Sequence, residues 1–134
     1  MTIPDRMSGV LLTGHGGLDK LQWRDDLEVP RPGKGEVLLR VLASSVNNTD
    51  INTRTAWYSK SVRGDTAATA VEGTIATDVG DGAWSGEPCR FPRIQGADCC
   101  GEIVAVGKGV AHSRIGERVL VRALQTNGAF EGEL

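Results

Sequence analysis

Asn47, Asp50, Arg54 and Tyr58 follow one another at intervals of three and four residues, which strings four hydrogen-bonding or ionisable side chains along one short segment. An asparagine amide can donate to an oxygen that gains charge, and a tyrosine phenol can donate or serve as a proton source. Each residue also has a structural use. Asn47 is a good helix-capping type, Asp50 and Arg54 have the i, i+4 spacing of a helix-surface pair, and Tyr58 can simply pack. A further carboxylate, Asp98, directly precedes Cys99 and Cys100. With Cys89 and His112 these are metal-binding residue types, but neighbours on a strand face opposite ways, and the nine residues between Cys89 and Cys99 are not a short chelating loop. Three cysteines make an odd count with no regular disulfide framework, and they read as small buried groups in a reducing compartment. His15 and His112 lie in Gly-rich and polar surroundings, away from any nucleophile motif, and read as surface residues.

Several short strands are expected to position these groups. Met7 to Leu12 forms one. Leu21, Trp23, Leu27 and Val29 alternate with polar residues, broken at Asp25, as in a strand with one wet face on the outside of a barrel. Pro30, Pro32, Gly33 and Gly35 mark a turn before a longer apolar strand, Glu36 to Ser44. Ile103 to Val106 and Val119 to Val121 are β-branched-rich runs bounded by Gly107, Gly109 and Gly116, the pattern of strands covered on both faces. Asn47 to Tyr58 lacks β alternation and begins with two capping residues, which predicts a short helix emerging from the end of a core strand. Ser59 to Pro92 is a long Ala/Thr/Gly-rich segment with one short strand expected at Thr74 to Val79. Gly/Pro-separated short strands make the fold mainly β, an antiparallel barrel or sandwich with one or two short helices.

At 134 residues the chain fits one domain with a real core. Its formal charge of -2 and the absence of a Lys/Arg cluster argue against nucleic acid as a partner. No apolar run approaches the roughly 20 residues that cross a bilayer, and the start, MTIPDRMSGV, lacks the features of a secretory signal, so no membrane association and a cytoplasmic location are expected.

The stretch FPRIQGADCCGEIVAVGKGVAHSRIGERVLV, from Phe91 to Val121, resembles the catalytic domain of the medium-chain dehydrogenases and reductases, a family of zinc alcohol dehydrogenases and zinc-free quinone reductases. The likeness runs from Met7 to Val121, most clearly over Pro30 to Tyr58 and Pro92 to Val121, and implies a GroES-like β-barrel. In the zinc members a cysteine follows the core strand and a Gly-His-Glu motif precedes the next buried one. Here Asn47 stands at the cysteine position and Ala97 at the histidine position. An amide and a methyl group cannot supply the thiolate and imidazole of catalytic zinc, so no zinc is expected. Asn47, Asp50, Arg54 and Tyr58 instead match the zinc-free quinone and enone reductases, in which this segment faces the nicotinamide ring. The resemblance therefore implies Asn47, Asp50, Tyr58 and Asp98 as catalytic-site residues and Asn47 and Arg54 as cofactor-side residues, with Asp98 orienting the cleft by hydrogen bonding.

The family implies NADPH or NADH, yet no dinucleotide fingerprint is present. Gly80 to Gly86 is one residue too long, and Gly14-His15-Gly16-Gly17 ends in the wrong place. The expectation is that residues 1–134 are an N-terminal catalytic portion, truncated, inactive alone and able to pair as a homodimer through exposed edges. The Rossmann cofactor domain would lie outside this chain; Gly128 to Glu131 only partly echoes a family strand. The expected substrate is a quinone, enone or related carbonyl. Two rivals stand beside this reading: a zinc alcohol dehydrogenase with rearranged ligands, and a free-standing GroES-like binding or assembly module.

Overall fold

The computed structural model describes residues 2–58 and 89–121. The expected strand at Thr74 to Val79 and the partial motif at Gly128 to Glu131 lie outside the described residues. Within them the chain is mainly β. Five strands form, β1 (Arg6–Leu12), β2 (Leu21–Glu28), β3 (Val37–Ala43), β4 (Cys100–Val106) and β5 (Arg118–Leu120), with one α-helix, α1 (Asn48–Arg54), and 3-10 turns at Leu18–Lys20 and His112–Arg114. Each expected element that falls on the described residues is present within a few residues of its predicted bounds, because Gly, Pro and Asn interrupt the apolar runs where the backbone turns.

The chain divides into two compact units. Among the described residues the first comprises 2–8, 25–46 and 96–121. Its sheet runs in the order β3-β4-β5, antiparallel throughout, with Leu39 opposite Ile103, Arg40 opposite Glu102 and Gly101 opposite Val119. Arg40 Nη2 donates to Glu102 Oε2 at 2.8 Å, a cross-strand ion pair at a partly exposed site. Ile103, almost wholly buried, anchors the sheet with Leu38. Expected cover on both faces holds only for part of β4, since Leu120 on β5 is 82% exposed. At the end of β4, Gly107 donates its N–H to the Glu36 carbonyl at 2.8 Å, and Gly35 donates to the Lys108 carbonyl at 2.9 Å. The Pro32–Glu36 turn is thereby pressed against Gly107, where an added Cβ would fall 1.7 Å from the Gly33 carbonyl oxygen.

Among the described residues the second unit comprises 9–24, 47–58 and 89–95. It takes in the tip of the hairpin formed by β1 and β2, which the Thr13 N–H to Lys20 carbonyl bond closes at 2.9 Å, and all of α1. Leu12, fully buried, pairs its backbone in both directions with Arg93. The cover expected for the apolar side of β2 fails at Trp23, which is 69% exposed. Sequence parity puts Trp23 on the same side as Leu21 and Leu27, but parity fixes a side and not what covers it.

α1 is only seven residues long, too short to be stable alone, so its two ends decide whether it forms. At its C-terminus the Trp57 N–H bonds to the Asn52 carbonyl at 2.8 Å and the Ala56 N–H to the Thr53 carbonyl at 3.3 Å. Those two bonds are a Schellman closure, and Ala56 occupies its left-handed position at φ 57° with no surface exposed.

Candidate functional site

Local sequence explains the start of α1. Asn47 is the extended N-cap and Asp50 the third helical residue, and together they make a capping box. Asp50 Oδ2 accepts the Asn47 backbone N–H at 2.7 Å, while the Asn47 side chain accepts from the Asp50 backbone. The carboxylate of Asp50 thus holds the backbone that aims Asn47. Replacing Asp50 by Ala should lower stability by about 1 kcal/mol, read from the urea midpoint, with Asp50→Asn losing less.

Arg54 departs from the helix-surface pairing with Asp50. It is 4% exposed, and its Nη1 donates to the Gly16 carbonyl at 2.7 Å while the Gly16 N–H donates to the Arg54 carbonyl at 2.8 Å. The i, i+4 spacing is real, but a carbonyl 38 positions upstream captures the guanidinium. Tyr58, just beyond the helix, receives a long 3.5 Å contact from Asn52 Nδ2 and sets its ring edge-on to Trp57 at 5.8 Å. Asn47, Asp50, Arg54 and Tyr58 are therefore brought onto one element, in the second unit.

Asp98 belongs to the first unit. Ser45, at the end of the chain leaving β3, donates its hydroxyl to Asp98 Oδ2 at 2.5 Å, a short charge-assisted bond between exposed side chains. The partners are 53 positions apart, and sequence reading had not singled out Ser45. Next to Asp98, Cys99 is buried and Cys100 half-buried, and both are free thiols. Burial, and then the neighbouring Cys100, pushes the Cys99 thiol above its ordinary range. In the native protein at pH 8, iodoacetamide should label Cys99 at least about tenfold more slowly than Cys100, a difference that denaturation abolishes, as mass spectrometry of the modified peptide would show. Among the described residues no three His, Cys, Asp or Glu side chains gather closely enough to hold a metal ion.

His15 was read as a surface residue, and the structure corrects this. The ring is partly buried, Nδ1 lies 2.7 Å from the Thr53 carbonyl, and the ring meets Phe91 edge-on at 4.8 Å. Since a carbonyl only accepts, Nδ1 carries the proton. His112, in contrast, is exposed in its 3-10 turn.

Residues 33–133 match the family model of the alcohol dehydrogenase GroES-like domain. The chain belongs to that family. Among similar proteins, the GroES-like domain chain is 32% identical over 114 residues to the mitochondrial NAD(P)H oxidoreductase RTN4IP1 of Dictyostelium discoideum, covering 84% of this chain and 26% of the relative. It is 28% identical over 127 residues to an alcohol dehydrogenase of Schizosaccharomyces pombe, covering 95% of this chain and 28% of the relative. A crystal structure from Sinorhizobium meliloti 1021, provisionally assigned as an alcohol dehydrogenase, superposes with a TM-score of 0.69 at 44% identity, covering 89% of this chain and 30% of that one. The GroES-like domain chain therefore spans roughly a quarter to a third of the length of these relatives. No helix among the described residues is long and apolar enough to cross a membrane.

Proposed function

We propose that this chain is the substrate-side, GroES-like portion of an NAD(P)H-dependent medium-chain oxidoreductase of the zinc-free type, reducing a quinone, an enone or a related carbonyl. The observation that carries the reading is Asn47 itself: it heads α1 in a capping box that fixes its backbone, at the position where zinc members place a cysteine ligand. With an amide there and Ala97 at the histidine position, the donor set does not fit catalytic zinc. The nicotinamide supplies hydride when bound, held mainly by residues outside this chain.

What the chain's own residues contribute is electrostatic. Asn47 donates from its amide nitrogen to the substrate oxygen that gains negative charge, Tyr58 donates or passes a proton, and Asp50 keeps Asn47 in place. Arg54 serves the cofactor side through the loop it holds, since its guanidinium is engaged with Gly16. Asp98, oriented by Ser45, hydrogen-bonds on the substrate side. A cytoplasmic location and a homodimer remain part of the proposal, and the chain alone should not turn over.

The test is oxidation of NADPH and NADH by the complete gene product, against a benzoquinone, an enone and a simple alcohol or aldehyde pair, with metal content measured on the same sample. Quinone or enone turnover at less than 0.1 zinc per chain, unchanged by a chelator, is the expected result, on the order of trace content for a site lacking two ligands. Stoichiometric zinc with alcohol oxidation would replace this reading by the rearranged zinc enzyme.

A further inference from the structure

The segment Gly14-His15-Gly16-Gly17 is unexplained by its sequence, because it is neither a phosphate-binding loop nor a regular hairpin turn. In the structure it is fastened to the last turn of α1 at three points. The Gly16 N–H donates to the Arg54 carbonyl at 2.8 Å, Arg54 Nη1 donates to the Gly16 carbonyl at 2.7 Å, and His15 Nδ1 donates to the Thr53 carbonyl at 2.7 Å. The Arg54 carbonyl is among those a helix C-terminus leaves without intrahelical partners, and the Thr53 carbonyl accepts from His15 as well as from the Ala56 N–H. The loop therefore completes the hydrogen bonding of the helix.

His15 is the side chain that ties a third segment into this arrangement. Its ring lies edge-on to Phe91, two residues from Arg93, whose backbone pairs with Leu12 at the base of the same loop. His15 Nε2 is buried and has no hydrogen-bond partner among the described residues, where the ring is held by its Nδ1 bond and its packing on Phe91. The seven-residue α1 thus has one end in the cap at Asn47 and the other in this clamp.

We propose that His15 is a positioning residue for the candidate site, which fixes the C-terminal turn of α1 through the Thr53 carbonyl and thereby the direction of the Asn47 amide. This rests on the proposed role of Asn47 for its functional consequence, but not for its structural one. A 1 Å displacement of a positioning group can lower a rate up to about a hundredfold without touching the chemistry.

Three substitutions separate this role from packing alone. The amide nitrogen of an asparagine side chain can stand where His Nδ1 stands, whereas that of glutamine reaches the place of Nε2. His15→Asn should therefore keep the bond to Thr53, and His15→Gln and His15→Ala should lose it. In the complete gene product, H15A and H15Q should lower kcat about tenfold or more, with KM for the nicotinamide cofactor changed less than about twofold, and H15N should stay within about twofold of the parent. In this chain the backbone amide resonances of Asn47 and Asp50 should move in H15A and H15Q and hold in H15N. Loss of kcat in H15N equal to that in H15A, or unmoved Asn47 and Asp50 resonances in H15A, would overturn the proposal. If the parent turns over none of the acceptors, the functional reading fails, and the resonances alone decide whether the clamp exists.

Discussion

Gly107→Ala should destabilise the first unit by about 3 kcal/mol or more, the largest stability effect expected of any single methyl added to a described glycine. The reason is space. The new Cβ would lie 1.7 Å from the Gly33 carbonyl oxygen and 2.7 Å from its carbonyl carbon, both backbone atoms that no rotamer change can move. The Pro32–Glu36 turn would have to separate from the end of β4, and the bonds from Gly107 to Glu36 and from Gly35 to Lys108 would stretch with it. Two weakened backbone hydrogen bonds account for roughly 1 kcal/mol each, and overpacking adds about 1–3 kcal/mol. Gly14→Ala is the matched control, since nothing lies within 4 Å of its added Cβ. Its urea midpoint should equal the parent's or rise slightly. Equal midpoints for both variants would mean that the turn and β4 do not touch.

Asn47→Asp should leave the fold intact and lower kcat of the complete gene product by about a hundredfold or more. Aspartate caps a helix as well as asparagine does, so α1 and its box with Asp50 survive, with stability inside about 0.5 kcal/mol of the parent. What disappears is the N–H donor. A carboxylate in its place offers negative charge to an oxygen that is itself becoming negative, so the loss should fall on kcat rather than on cofactor binding. Asn47→Ala removes both cap and donor and should lose stability and activity together. Retained activity in N47D would show that Asn47 is a cap and nothing more.

The cap at Asn47 was legible because residue type and place at the start of the helical segment are local properties, whereas Asp50, expected to pair with Arg54, instead closes a capping box with Asn47 inside one helical turn. Strand positions were legible for the same reason, since glycines and prolines punctuate runs whose local preference and tertiary role agree. Arg54 was misread because helical spacing names a partner at i−4 and is blind to a carbonyl that a folded loop delivers from far upstream. His15 and the Ser45–Asp98 bond are the same case, joining positions 38 and 53 apart. Trp23 shows the converse failure. Its alternation with polar neighbours is correct, yet exposure depends on which other segment covers that side, and a two-residue period carries no information about that.

The left-handed Ala56 bears on how freely this domain can vary. Glycine there would relieve about 1 kcal/mol of backbone strain, but it would surrender a buried methyl group of similar worth and loosen the unfolded chain. Any larger residue would retain the strain and have no room. Position 56 is therefore nearly a two-letter site, and in a saturation library it should tolerate alanine and glycine alone.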